Sequence, residues 1–177
     1  MADRASGTIR CMGVDNIKPV LSTGAVERLL HDGLPSAAGL QVIRLEPRPA
    51  TIRLPVNPTM VRPGGTLSGP MMFAAADSAM YAVILGHLGP ELLAVTTDTS
   101  IHFLRRPPLR DVEAEARILK LGRRLVICQV EIRTVDDAEP VAIATGTSMP
   151  ASAAMAKALP TTVAPSSTAK VCQCQAP

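Results

Sequence analysis

The chain has 177 residues, a length typical of one domain, and its apolar content of 47% is enough for a sizeable core. It contains two Phe, one Tyr and no Trp, so the core must be aliphatic and rich in alanine. The net charge of +3 is too small to indicate nucleic acid, and RNA-binding modules also need aromatic side chains that this chain nearly lacks.

The first predicted elements are a short helix and a pair of strands. Residues 23–33, TGAVERLLHDG, have the pattern of a helix with Thr23 as its N-cap and Gly33 at its end. Strands are predicted over residues 40–45 and 52–56, on either side of a proline-rich break. The residues before the helix contain no apolar signal core, so the cytoplasm is the expected compartment.

A long helix is predicted over residues 70–86. Asp77 is the only charged residue between Met71 and Leu85. A helix that is apolar on all sides is buried on all sides, so we expect the sheet to wrap around it. Because Asp77 and His87 interrupt the weakly charged stretch around this helix, we do not expect it to span a membrane.

Four further strands are predicted over residues 95–103, 112–118, 126–132 and 139–148. Apolar and polar residues alternate in them, without exception from 112 to 118. Short glycine- or aspartate-containing links suit hairpins between the last three. The pattern predicts an antiparallel meander of these four strands with one polar face, and an α+β architecture in which the sheet holds the long helix.

The C-terminal segment has a different composition. Residues 150–177 are mostly Ala, Ser, Thr and Pro, so we expect a mobile tail with at most one short helix around 151–159. Cys172 and Cys174 have no second ligand pair at zinc spacing, so neither a metal site nor a cofactor is expected. Cys128 lies in a predicted strand and is interpreted as a small buried hydrophobic residue.

Two features of the long helix suggest chemistry. Ser68 is a plausible N-cap and Pro70 suits the first turn, so the Gly69 N–H lies at the positive end of the helix dipole. A carbonyl placed there would be polarised, although ordinary capping explains the same residues. Asp77 lies among alanines two turns further on. It is interpreted either as half of a salt bridge or a cap to another element, or as a general base or nucleophile.

Basic residues cluster at the predicted strand ends. They form either a solvated rim or a binding site for a phosphorylated ligand such as a nucleotide-tailed cofactor. No P-loop or other glycine-rich nucleotide motif accompanies them. The cluster consists of Arg105, Arg106, Arg110, Lys120, Arg123 and Arg124.

These motifs together resemble the hotdog-fold acyl-CoA thioesterases of the phenylacetic-acid-degradation (PaaI-like) type. That family's signature has Asn, then Gly, then His-Gly-Gly at the start of the central helix, and Asp seven residues after the second glycine. In RPGGTLSGPMMFAAAD, Gly69 and Pro70 fall at the paired glycines and Asp77 at the acid, whereas Arg62 and Ser68 stand where the family usually has Asn and His. TTDTSIHFLRRP and DVEAEARILKLGRRLVICQVEI resemble the family's next strand and last hairpin.

The resemblance implies a hotdog fold, in which a curved antiparallel sheet wraps around a long central helix. It divides the chain into an N-terminal extension with a short helix (1–34), a hotdog domain (35–149) and the tail (150–177). It also implies hydrolysis of acyl-CoA thioesters by a homodimer or homotetramer with the site at the subunit boundary. No nucleic acid, membrane or cofactor is expected to take part.

The resemblance assigns roles to individual residues. The Gly69 N–H would polarise the thioester carbonyl, and Asp77 of the partner subunit would activate water or attack directly. Arg62, Ser68 and Pro70 occupy positions that place the thioester and the attacking water, and Ser100 corresponds to a polar group near that water. The candidates for the phosphates of coenzyme A are Arg105, Arg106, Arg123 and Arg124.

Two other functions are compatible with the same fold. A non-catalytic acyl-CoA-binding or regulatory hotdog protein would explain the unusual residues at positions 62 and 68. A hydratase or dehydratase would need an Asp–His pair, and His102 is the candidate because it shares a strand face with Asp98 and Ser100.

Overall fold

The computed structural model describes residues 17–34, 37, 39–122 and 124–150. The predicted disorder and short helix of the tail, its two cysteines and Arg123 lie outside the described residues. The helices are α1 (Thr23–Gly33) and α2 (Gly69–Leu88), with a short 3-10 helix at Pro58–Met60. The strands are β1 (Gln41–Leu45), β2 (Pro49–Leu54), β3 (Val61–Arg62), β4 (Thr66–Leu67), β5 (Val95–Phe103), β6 (Val112–Leu121), β7 (Val126–Thr134) and β8 (Ala142–Met149).

The main sheet is antiparallel and has the strand order β1-β2-β6-β7-β8-β5. The four strands predicted after the long helix are present, and β6, β7 and β8 form the expected meander. The prediction that β5 continues this meander is wrong, since β5 pairs with β8 at the far edge while β2 pairs with β6. Alternation in a sequence fixes the face of each residue but not the neighbour of each strand. β5 is therefore an edge strand.

The long helix α2 lies against the inner face of this sheet and forms the centre of the core. The apolar face of β6 and β7 is fully buried, as the alternation predicts. The buried apolar side chains are aliphatic, alanine, methionine or the Cys128 thiol, and no Phe or Tyr is among them in the described part of the chain. The α+β hotdog architecture is thus confirmed. The helix is long and apolar enough to cross a membrane, but it is the buried core helix of this sheet.

One stripe of α2 remains uncovered, so the expectation of burial on all sides is wrong. Pro70, Phe73 and Ala74 are exposed, and 40% of Phe73 is accessible to solvent. Asp77 and Tyr81 continue the stripe and are partly buried. An apolar helix face beside an edge strand is a surface that can pack against another molecule.

The opposite edge of the sheet is covered by α1. Val26 and Leu30 of α1 are fully buried, and the Glu27 carboxylate accepts the Val42 N–H of β1 at 2.7 Å. The N-cap of α1 is Ser22, whose hydroxyl accepts the Ala25 N–H at 3.3 Å, and not Thr23 as the sequence suggested. Within the described residues the two edges of the sheet therefore differ, because a carboxylate and a helix cover the β1 edge and no such element covers the β5 edge.

Candidate active site

An open pocket of about 400 Å³ lies where the N-terminus of α2, the β3–β4 hairpin and the end of β5 meet. Most of its wall is apolar, and no acidic residue lines it. The structure brings four predicted site residues, Gly69 and three arginines, to this one place. The apolar lining is Leu67, Met72, Phe103, Leu104 and Pro107, and the arginines are Arg62, Arg105 and Arg106.

The start of α2 offers one free backbone donor to this pocket. Ser68 is the N-cap by backbone geometry, and its carbonyl accepts the N–H groups of Met71 and Met72, both at 3.2 Å. Pro70 has no N–H, so Gly69 carries the first donor of the helix. A side chain at Gly69 would place its Cβ 3.3 Å from Phe103 Cζ, which shows how closely the pocket wall approaches this N–H.

The side chain of Ser68 makes no capping hydrogen bond. Ser68 is partly buried next to Gly69, and its N–H donates to the Met60 carbonyl at 2.9 Å. Pro70 is exposed on the first turn of α2. Both residues lie where the sequence places them, and their roles stay predictions.

Asp77 lies on the uncovered stripe of α2 and has one hydrogen-bond partner that the sequence did not reveal. The Thr96 hydroxyl of β5 donates to Asp77 Oδ1 at 2.7 Å. A short hydrogen bond to a carboxylate fixes the direction of its remaining lone pairs. No salt bridge to Asp77 occurs among the described residues, so the interpretation of Asp77 as half of a salt bridge has no support.

A β-bulge explains why Thr96 was missed. Simple alternation places Thr96 on the same face as Asp98, but the register between β5 and β8 shifts between these two residues. The extra residue at the bulge turns Thr96 toward α2. Nothing in the TTDTS sequence distinguishes this arrangement from a regular strand.

Ser100 and His102 lie on the outer face of the sheet. Ser100 pairs with the exposed Thr145, whereas its neighbour Thr99 pairs with Gly146, which is buried against α2. Because successive residues of a strand point to opposite faces, Ser100 and His102 are directed away from Asp77. The structure therefore does not bring Ser100 to the carboxylate, and it separates His102 from Asp77 as well.

Arg62 is held by a small hairpin next to the pocket. Arg62 pairs with Thr66, and its Nε donates to the Thr66 hydroxyl at 2.9 Å. The turn between them needs Gly64 and Gly65, which have φ values of 100° and 72° that other residues rarely adopt. The guanidinium is exposed, and within the described residues no carboxylate lies within ion-pair distance of it.

The two arginines after β5 differ in their surroundings. Arg105 is tied to the β7–β8 turn, because its Nη1 lies 2.8 Å from Glu139 and its Nε donates to the Pro140 carbonyl at 3.2 Å. Its Nη2 lies 3.5 Å from Asp137 Oδ1, within ion-pair range but without hydrogen-bond geometry. Arg106 is exposed and has no ion pair in the described part of the chain.

The same turn contains a carboxyl group with a shifted pKa. The Glu139 N–H donates to Asp137 at 3.1 Å and lowers the pKa of the Asp137 carboxyl, and the nearby Arg105 charge acts in the same direction. Asp137 thus stays ionised and keeps Arg105 partly neutralised. Arg62 and Arg106 are therefore the arginines of the pocket whose charge no acid balances among the residues that the structure describes.

Arg124 lies far from this pocket within one chain. It is exposed at the turn between β6 and β7, where Leu121 pairs with Val126. The pocket lies at the other end of the sheet, near Phe103 and its partner Ala142. The ten residues of β6 separate the two ends by about 30 Å.

Gly69 and Asp77 are also too far apart to act on one bond within a single chain. Eight residues of helix separate them, which at about 1.5 Å per residue gives about 12 Å along the axis. Among the described residues no group of three His, Cys, Asp or Glu side chains could hold a metal ion. The chemistry available here is therefore that of a backbone donor, arginines and a single carboxylate.

Comparison with known proteins identifies the family. Residues 64–141 match the model of the Thioesterase superfamily. A candidate esterase of Saccharolobus solfataricus is 30% identical over 117 residues, which cover 65% of this chain and 77% of that protein.

Two solved structures agree with this match. A candidate thioesterase from Silicibacter sp. TM1040 is 37% identical with a TM-score of 0.69, and the match covers 75% of this chain and 94% of that one. A variant of the phenylacetic acid degradation protein PaaI from Thermus thermophilus is 30% identical with a TM-score of 0.58, and it covers 66% and 96%. These similarities support thioester hydrolysis as the general class of reaction. The chain belongs to the thioesterase superfamily and is a PaaI-like member with the hotdog fold.

Proposed function

We propose that the protein hydrolyses acyl-CoA thioesters to the free acid and coenzyme A. The observation that carries this proposal is the pocket at the start of α2. There the Gly69 N–H meets an apolar wall and two arginines that have no acidic partner in the part of the chain that the structure describes. An apolar wall suits an acyl chain, and arginines suit phosphates. The general class of reaction comes from the family, and the substrate class and the mechanism are proposed from this site.

The Gly69 N–H stabilises the charge that develops on the thioester oxygen. When a nucleophile attacks the carbonyl carbon, negative charge collects on the oxygen in the transition state. The Gly69 N–H and the positive end of the α2 dipole face that charge without having to reorganise. Ser68 flanks this position and helps to place the thioester and the attacking water.

Asp77 supplies the base or the nucleophile. Its carboxylate either takes a proton from water as the water attacks, or attacks the carbonyl carbon itself and forms an anhydride that water then hydrolyses. In the first route Asp77 passes the proton from water to the departing thiolate of coenzyme A. In the second route the thiolate leaves as the anhydride forms, and hydrolysis of the anhydride by water releases the free acid, the Asp77 carboxylate and the proton that the thiolate takes up. The Thr96 hydroxyl positions the carboxylate by holding Oδ1, which leaves Oδ2 for the reaction.

The complete site needs two copies of the chain. About 12 Å of helix axis separates Gly69 and Asp77 in one copy, so the reacting Asp77 comes from the partner subunit. The surfaces that would meet are the open β5 edge and the uncovered stripe of α2, where Phe73, Val95 and Phe103 are exposed by 40%, 51% and 51%. An open edge strand with apolar side chains favours pairing with an identical edge across a two-fold axis. A homotetramer built from two such dimers would keep this boundary.

The phosphates of coenzyme A are assigned to the basic residues beyond β5. Arg106 is exposed and unbalanced by acid, and Arg105 lies beside it. Arg123 and Arg124 stay candidates, and Arg124 could reach a ligand in this pocket only from the partner subunit, given its place at the other end of the sheet. The cytoplasm is the proposed compartment, in keeping with the unpaired buried thiol of Cys128.

The shared site can be tested with hybrid dimers. Asp77→Asn removes the base, and Gly69→Val fills the space next to Phe103, so each variant alone is expected to be inactive. When the two are co-expressed, half of the randomly formed dimers are hybrids with one intact site of two, so about a quarter of the wild-type activity should return. No recovery despite dimers in light scattering would contradict a site built from two subunits.

A non-catalytic acyl-CoA-binding protein is the second candidate, favoured by Arg62 and Ser68 at the positions where the family usually has Asn and His. Both candidates predict that acyl-CoA raises the melting temperature. Only the enzyme releases free thiol from the same acyl-CoA panel. Thermal shift without thiol release would replace the proposed hydrolase by the binding protein.

A further inference from the structure

The pocket is lined by arginines that belong to two different elements of the fold. Arg62 and Arg106 both line it, and neither has a carboxylate partner among the described residues. Arg105 differs because Glu139 and Asp137 balance its charge. The side chains of Arg62 and Arg106 are both exposed to solvent at the pocket, so each guanidinium is available to bind an anionic group of a ligand.

The two free arginines lie on different walls. Arg62 belongs to the β3–β4 hairpin, which precedes α2, and Arg106 belongs to the loop that follows β5. Gly69 lies between these walls. It follows the hairpin in sequence, and a Cβ atom built on Gly69 would lie 3.3 Å from the Phe103 side chain of β5. A thioester whose carbonyl is held at Gly69 extends in two directions, one with the acyl group (the acyl arm) and one with the coenzyme A part (the thiol arm). Arg62 on one wall can therefore meet one of these arms, and Arg106 on the other wall can meet the other.

The geometry of Arg62 suits a single carboxylate. Its Nε is used by Thr66, so the guanidinium has a fixed orientation and its two Nη groups remain unused by the protein. A planar fork with two parallel N–H donors matches a carboxylate. Arg106, by contrast, lies in an exposed loop next to Arg105, which suits the larger phosphorylated arm.

We propose that Arg62 binds a carboxylate at the far end of the acyl group, so that the preferred substrates are carboxyacyl thioesters. This rests on the proposed function, because it places the thioester at Gly69. Leu67 and Met72 line the space next to Arg62 and would contact the methylene groups of such a chain. Arg62 is thus a specificity residue at the position where the family usually has Asn.

The test compares adipoyl-CoA with hexanoyl-CoA, which have the same chain length and differ in the terminal carboxylate. The wild-type protein is expected to show about tenfold higher kcat/KM for adipoyl-CoA, mostly through KM, as fits one charge-assisted pair. Arg62→Gln should abolish this preference, and Arg62→Lys should keep part of it. The matched control is Arg110→Gln, which removes an exposed arginine that does not line the pocket and should keep the preference.

The thiol arm is tested separately with the N-acetylcysteamine thioesters of the same two acids, which contain no phosphate. The proposal predicts that Arg62→Gln lowers the adipoyl preference with this short thiol as well. Equal losses for both acyl groups with coenzyme A, and no loss with the short thiol, would show that Arg62 binds phosphate and would overturn the proposal. A selective effect of Arg106→Gln in place of Arg62→Gln would overturn it too.

Binding of non-hydrolysable thioethers separates this inference from the hydrolase activity. S-carboxyalkyl-CoA and S-alkyl-CoA of equal chain length can be compared by calorimetry with the wild-type protein and Arg62→Gln. A preference of about tenfold in Kd that disappears in the variant supports the inference even if no thiol is released. Equal Kd values for the two thioethers in the wild-type protein would refute it.

Discussion

The contact between Thr96 and Asp77 gives the sharpest prediction about the reaction. Thr96→Val replaces the hydroxyl by a methyl group of similar size, and valine is a good strand residue, so β5 is preserved. The change removes the donor that lies 2.7 Å from Asp77 Oδ1. Hydrogen bonds to charged groups contribute about 1.5–3 kcal/mol, and exposure to water places this one near the lower end. A loss of about 1.4 kcal/mol from the transition state lowers kcat about tenfold.

The assay is thiol release from a saturating acyl-CoA, which reports kcat rather than binding. Thr96→Ser keeps the hydroxyl and should keep most of the activity. Thr97→Val is the matched control, because the Thr97 hydroxyl donates to the Thr147 carbonyl and does not touch Asp77. A wild-type kcat in Thr96→Val, or the same fall in Thr97→Val, would refute the positioning role of Thr96.

Two further predictions concern the core. Gly146→Ala would place a Cβ 2.5 Å from the Met80 sulfur, so overpacking should destabilise the fold by about 1–3 kcal/mol and lower the melting temperature by several degrees. The control, Thr145→Ala on the outer face, should have a smaller effect. An unchanged melting curve for Gly146→Ala would contradict this packing. Burial raises the pKa of the Cys128 thiol to about 12. The thiol should therefore resist alkylation at pH 8 in the native protein and react after unfolding, which mass spectrometry of its peptide can show. Rapid alkylation of Cys128 in the native protein would contradict this burial.

Much of the fold could be predicted because burial imposes a period on the sequence. In β6, Val112, Ala114, Ala116 and Ile118 face the helix without exception, and this alternation identifies the strand and its inner face. The neighbours of β5 could not be predicted in the same way. Strand order depends on contacts between residues far apart in the sequence, here those of β2 with β6 and of β5 with β8. The alternation within one strand does not indicate which other strand lies beside it.

The backbone donor of the site could be predicted from the sequence, whereas the side-chain contacts around Asp77 could not. Ser-Gly-Pro before an apolar run marks a helix N-terminus, and the structure places Gly69 there with a free N–H. Ser100 and Thr96 illustrate the limit. The role expected of Ser100 came from the family resemblance, whereas its side chain lies on the outer face, and the bulge turns Thr96 toward α2 instead. The apparent isolation of Asp77 has a similar cause, since its partner lies 19 positions away on another element.

Release of free thiol by the wild-type protein and by Asp77→Asn is the most direct test of the central claim. Asparagine has nearly the shape of aspartate and can still accept the Thr96 hydrogen bond, so the dimer and the fold should persist, as light scattering and thermal melting can verify. The account predicts that the wild-type protein hydrolyses acyl-CoA and that the variant retains less than about one hundredth of that rate, the loss expected for a group that moves a proton in the transition state. Hydrolysis by Asp77→Asn at close to the wild-type rate would contradict it.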